Sequence, residues 1–185
     1  MKTEEDLIWE SLVDSKKVNE TYGCLMIYLN DKQLVEDVNQ WCNENIQKDM
    51  YHEMNDKWDD GLHITCQYGF KDITINDITK FITAIIKEPI KIELDKISKF
   101  ENGEYDVIKV DVNSPDLHKL SDNIRNQFKN QLEITFPDYH PHMTLAYVKK
   151  GKLKDINDID MFKGKNYVFD QFVYNDGNDN KYDIL

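Results

Sequence analysis

One arrangement constrains the fold of this chain more than any other, because it occurs twice. CLMIYL (24–29) is a short apolar run of strand type, Asn30 and Asp31 open a helix, and LHITCQYGF (62–70) reads as the next strand. In the second half YDVIKVDV (105–112), a helix from Ser114-Pro115 and HMTLAYV (142–148) follow in the same order. Each helix carries an apolar stripe at 3.6-residue spacing: Leu34, Val35, Val38, Trp41 and Cys42 in the first, Leu117, Leu120, Ile124 and Phe128 in the second. Identity between the halves is slight, yet their last strands share His63-Ile64-Thr65 and His142-Met143-Thr144.

The segments between these units are legible in outline. A short helix is expected over residues 3–13, with Thr3 as N-cap and Asp6 completing a capping box. Residues 47–61 lack a period and read as a polar loop. A helix from about Asp77 to Lys87 follows the stripe Ile78, Phe81, Ile82, Ile85, Ile86 and stops before Pro89. Asn102-Gly103 joins two strands as a hairpin turn, and YVFDQFVY with KYDIL should close the chain as another. At 185 residues, with 40% hydrophobic residues, the chain suits one domain spanning 1–185 with a helical extension over 1–19.

Charge narrows the range of partners. The net charge is −12, from 35 acidic and 23 basic residues, which disfavours a long nucleic acid, whose capture depends on dense phosphate contacts. A small anionic ligand held by a few local donors is compatible with it. Cys24, Cys42 and Cys66 have no paired spacing and are read as free thiols. MKTEEDLIWE has no apolar core of a secretory signal, and no run approaches 18 apolar residues, so a cytoplasmic protein with no membrane partner is expected.

Side chains alternate along a strand. By that parity His63, Thr65 and Gln67 share one face of their strand, and His142, Thr144 and Ala146 share one face of theirs, opposite the apolar core faces. Two imidazoles facing one another across a cleft suit cleavage of a phosphodiester: one accepts the proton of the attacking oxygen and the other protonates the departing one. Threonine hydroxyls can donate to the phosphoryl oxygens as charge develops there. Gln67 is a candidate for a nucleotide edge, Trp58 for stacking on a base, and His140 for a base or ribose contact, although Pro141 starts the strand only after it. A zinc-type site from His140, His142 and His63 would leave both threonines unexplained, and no metal or other cofactor is expected.

With HITCQYGF, YDVIKVDVNSPDLHKL and FPDYHPHMTLAYVKKG, the chain resembles the two-histidine (2H) phosphoesterase superfamily, from about residue 20 onward, and within it the phage-encoded anti-CBASS nucleases. The resemblance implies an α+β fold of two lobes, with two small antiparallel sheets around a central cleft and helices outside. It also implies metal-independent cleavage of 3′–5′ bonds in a small cyclic oligonucleotide messenger, with His63 and His142 as the acid/base pair and Thr65 and Thr144 as phosphate clamps. A phage-encoded protein would act in the host cytoplasm. A 2′,3′-cyclic phosphodiesterase acting on RNA ends, and a nucleotide sponge without catalysis, are the other readings. The roles of the two histidines, the base preference and the oligomeric state are not fixed by the sequence.

Overall fold

Asp31, Thr74 and Ser114 each accept a hydrogen bond from the backbone N–H three residues on, and so each sets the start of a helix. The computed structural model describes residues 22–56, 61–101, 103–134, 137–154, 156, 159–178 and 180–185. The expected helix at 3–13, Trp58 and Asn102 lie outside the described residues. The helices are α1 (Lys32–Asn45), α2 (Glu53–Asp56), α3 (Ile75–Ile85) and α4 (Pro115–Gln127). The third begins two residues earlier than its apolar stripe suggests, because the Thr74 cap lies upstream of Asp77.

The strands are β1 (Gly23–Tyr28), β2 (His63–Phe70), β3 (Ile90–Glu101), β4 (Tyr105–Asn113), β5 (His142–Lys149), β6 (Asn166–Phe169), β7 (Val173–Asn175) and β8 (Lys181–Asp183). All pair antiparallel, in the order β6-β3-β4-β5-β2-β1-β7-β8. The two separate sheets expected for two lobes are therefore one sheet. Four strands of each half meet in the middle, where β2 and β5 pair through Ile64 and Met143. Both residues are fully buried. That central pair marks a pseudo-twofold axis, with β1 corresponding to β4 and β2 to β5.

Beyond this pair β2 and β5 take other partners. Residues 47–56, expected as a loop, form a 3₁₀ turn and α2 and dock on β5: Tyr51 bridges Val148, His52 N–H donates to the Tyr147 carbonyl (3.0 Å) and Asn55 Oδ1 accepts from Tyr147 N–H (3.2 Å). Symmetrically, Leu132 bridges Phe70 and Glu133 N–H donates to the Gly69 carbonyl (2.8 Å). Each segment comes from one half and satisfies backbone groups on the central strand of the other, beyond the point where β2 and β5 part.

The expected closing hairpin is also divided. Asn166–Phe169 joins β3 at one edge of the sheet, whereas Val173–Asn175 lies between β1 and β8 near the other. Four Cα steps separate Phe169 from Val173, a reach of at most about 15 Å. Six strand spacings in a flat sheet would need about 29 Å. The sheet must curl until its ends approach, and Phe172, fully buried, seats the link in the core. No helix among the described residues is long and apolar enough to cross a membrane. Cys24, Cys42 and Cys66 are free thiols; Cys42 and Cys66 are buried, and burial pushes the Cys42 thiol up to about 11.

Candidate active site

The central pair places the two motifs. Antiparallel pairing of Ile64 with Met143 sets His63 toward Thr144 and Thr65 toward His142, all four on the face opposite the buried Ile64 and Met143. His63 and Thr144 are buried, at 6% exposure each, while Thr65 and His142 are half-buried. Far apart in sequence, the two histidines are close enough for the charge of one to act on the other.

Both rings are held the same way. His63 Nδ1 lies 3.1 Å from the Gly61 carbonyl, and His142 Nδ1 lies 2.7 Å from the His140 carbonyl, each two residues upstream. A carbonyl only accepts, so Nδ1 carries the hydrogen in both rings. Nε2 is then the nitrogen with the lone pair in the neutral imidazole. His63 packs against Tyr28 (ring centres 5.5 Å apart), and His142 stands edge-on to Phe100 (5.1 Å, 89°).

A one-residue bulge follows each threonine. On β2, Thr65 pairs with Met26 and Gln67 with Leu25, so Cys66 is the extra residue. On β5, Thr144 pairs with Lys109 and Ala146 with Ile108, so Leu145 is the extra residue. A bulge reverses strand parity beyond it. Gln67 is thereby turned away from the site face on which simple alternation puts it. Its carbonyl accepts from Ser121 Oγ and Arg125 Nε of α4, both at 3.1 Å. Ala146 likewise falls on the core side. In exchange Tyr68 and Tyr147 come onto the histidine face, extending both motifs to His-x-Thr-x-x-Tyr.

His140 contributes its backbone carbonyl to the site while its side chain is exposed. Among the described residues no group of three or more His, Cys, Asp or Glu side chains could hold a metal ion. Lys149, which follows the second motif, donates to the Asp49 carbonyl (2.7 Å). Two residues that parity reasoning passed over face the site from β4: Lys109 opposite Thr144, and Asp111 opposite His142. Their signal was in the sequence, as two charges two positions apart inside an apolar strand.

The arrangement is suited to proton transfer at a tetrahedral phosphorus. Thr65 and Thr144 flank the imidazoles as donors, so Thr65→Ala or Thr144→Ala should each lower kcat/KM about 10²-fold, as loss of one donor to a developing oxyanion does. The serine variants should keep most of the rate in the same assay. Burial, the largest influence, together with Lys109 lowers the His142 pKa from 6.5 to about 4. Between those values the unfolded chain binds more protons than the folded one, so this group's contribution to stability falls as pH drops from about 6.5 toward 4. Urea midpoints at pH 7 and pH 5 should show that loss, and it should shrink in His142→Ala.

The family model of the 2′-5′ RNA ligase superfamily matches residues 34–158, more than half of the chain. Solved structures agree in fold. Escherichia coli LigT complexed with 3′-AMP superposes with a TM-score of 0.56 at 16% identity, covering 83% of this chain and 85% of LigT. Kluyveromyces marxianus Usb1 gives 0.56 at 11% identity, covering 91% and 99%. A protein of Thermus thermophilus gives 0.58 at 11% identity, covering 83% and 86%. No curated protein matches the chain in sequence. The matched family region contains both His-x-Thr strands, and the chain belongs to the 2′-5′ RNA ligase superfamily of two-histidine phosphoesterases.

Proposed function

We propose that this chain cleaves the 3′–5′ phosphodiester bonds of a small cyclic oligonucleotide messenger without a metal, the activity of phage anti-CBASS nucleases. The carrying observation is the meeting of His63, Thr65, His142 and Thr144 about the Ile64–Met143 pair, with both rings held through Nδ1. One Nε2 accepts the proton of a ribose 2′-hydroxyl as its oxygen bonds to phosphorus. The other gives its proton to the 5′-oxygen as the P–O bond breaks, and the threonine hydroxyls hold the non-bridging oxygens. The net charge of −12 favours a small substrate over a polymer.

A second reading, a 2′,3′-cyclic phosphodiesterase acting on RNA ends, is favoured by the fold-level likeness to LigT and Usb1, whose structures hold 3′-AMP and uridine monophosphate. The same two proton transfers would serve it. Incubation in EDTA with cyclic di- and trinucleotides and with 2′,3′-cyclic mononucleotides separates the two. Turnover of the cyclic oligonucleotides is the expected result. Turnover of the mononucleotides alone would move the assignment to RNA ends, and abolition by EDTA would refute the metal-free mechanism. Binding without turnover of any of them would make the protein a sponge.

A further inference from the structure

The ladder between β2 and β5 joins the two motifs through a single pair, Ile64 with Met143. Spacing across the site therefore depends on what else ties the first motif to the second. Residues 137–141, which lead into β5, carry such ties. Pro137, Asp138 and His140 are exposed, whereas Tyr139 turns inward and packs against the apolar core. Its ring stands 5.5 Å from that of His118 on α4 and nearly perpendicular to it, and its hydroxyl donates to the Thr65 carbonyl (2.7 Å).

A second tie runs through α4. Arg125 donates from Nε to the side-chain carbonyl of Gln67 on β2 (3.1 Å) and from Nη1 to the Pro137 carbonyl. Ser121 Oγ donates to the same Gln67 oxygen (3.1 Å). At the far end of the segment, the Val112 N–H of β4 donates to the Pro141 carbonyl (3.1 Å). Between these fixed points lies His140, whose carbonyl receives the Nδ1 hydrogen of His142. The backbone that orients the second imidazole is thus bonded to the backbone of the first motif's threonine. A phenylalanine at 139 would fill the same apolar place; the hydroxyl adds the link to Thr65, which packing alone does not require.

We propose that Tyr139, supported by Arg125, is a positioning residue that fixes the Thr65 hydroxyl and the His142 imidazole relative to one another. Its bearing on the rate rests on the cleavage reading above. In that reading the Thr65 hydroxyl and Nε2 of His142 act on the same phosphoryl group, one holding a non-bridging oxygen and the other moving a proton. A displacement of about 1 Å between such groups costs about 10²-fold in rate. With the Arg125 tie still in place, loss of the Tyr139 hydroxyl should cost about 10-fold.

Kinetics of the full chain on the cleaved cyclic oligonucleotide, well below its melting temperature, test the effect on rate. Tyr139→Phe should lower kcat about 10-fold and leave KM within about 2-fold of wild type. The same change made in Thr65→Ala should cost no more than about 2-fold, because the hydroxyl it places is already gone, whereas in Thr144→Ala it should cost about 10-fold again. A merely structural role would lower all three alike. Unchanged kcat in Tyr139→Phe, a rise in KM alone, or equal losses in the two threonine backgrounds overturns the proposal. If Tyr139→Phe does not fold, Arg125→Met breaks the second tie and must show the same dependence on Thr65; without it the proposal falls. Carbon-13 relaxation of the histidine rings tests the placement with no substrate present. In Tyr139→Phe the His142 ring should become more mobile while the His63 ring keeps its wild-type order. Rings that stay unchanged, or loosen together, overturn the proposal as well. Wild-type protein that turns over no cyclic oligonucleotide would refute the cleavage reading, and the relaxation measurement would still decide the placement.

Discussion

His63→Ala and His142→Ala are each expected to reduce kcat/KM on the cleaved cyclic oligonucleotide by about 10³-fold, within the usual range for losing a general acid or base. Each removes one half of a coupled transfer, so the double variant should be little worse than either single one. The variants should remain folded. His63 rests on Tyr28 and His142 on the edge of Phe100, and neither belongs to the continuous apolar core on the other face of the sheet. Thermal melts alongside single-turnover rates check both halves of the expectation. Loss of rate with an unchanged melt supports the assignment, whereas retained rate in either variant removes that histidine from the mechanism.

Gly69→Ala should produce the largest stability loss among single changes near the site. Gly69 has φ +99, a conformation that side chains of L-residues rarely adopt, and an added Cβ would run into the Glu133 carbonyl oxygen. That contact is backbone and cannot swing aside. Relief requires displacing residues 131–134, which pair with β2 through Phe70–Leu132 and the Glu133 N–H bond to Gly69. A cost of at least about 2 kcal/mol is expected from strain together with lost pairing. Tyr139, farther along the same stretch of sequence, donates to the Thr65 carbonyl at 2.7 Å, so activity should fall as well. Urea unfolding measures the first effect; a midpoint within error of wild type would show that the segment yields freely.

The parts of the fold that depend on local chemistry were readable from the chain. Asp31 and Ser114 cap the helices they were expected to open, the apolar stripes face the core, and the repeat recurs as two halves of the sheet. Period-two alternation placed His63, Thr65, His142 and Thr144 on the face opposite the core. It failed one residue later in both strands, because a bulge adds a residue without leaving a compositional mark. Alternation therefore puts Gln67 on the wrong face and Tyr68 and Tyr147 on the core side, whereas Lys109 and Asp111 on β4 are marked in the sequence by their charge. The union of two sheets into one depends on a single non-local pair, Ile64 with Met143, which no local pattern encodes. The division of YVFDQFVY between distant strands is likewise a matter of tertiary partners. Trp58 lies outside the described residues, and its stacking role stays an expectation.

The three-residue connection from β6 to β7 ties together what the central ladder barely joins. In the central ladder the halves share one backbone pair, the segments 47–56 and 131–134 each dock across onto the other half, and Asp170–Phe172 tethers the halves covalently at the rim of the sheet. A clam-like opening about the middle would have to stretch that tether, whose anchor Phe172 is wholly enclosed. The histidines are therefore restrained to a narrow range of separations. Substrate entry must rely on shifts of side chains and surface segments while the two jaws keep their spacing.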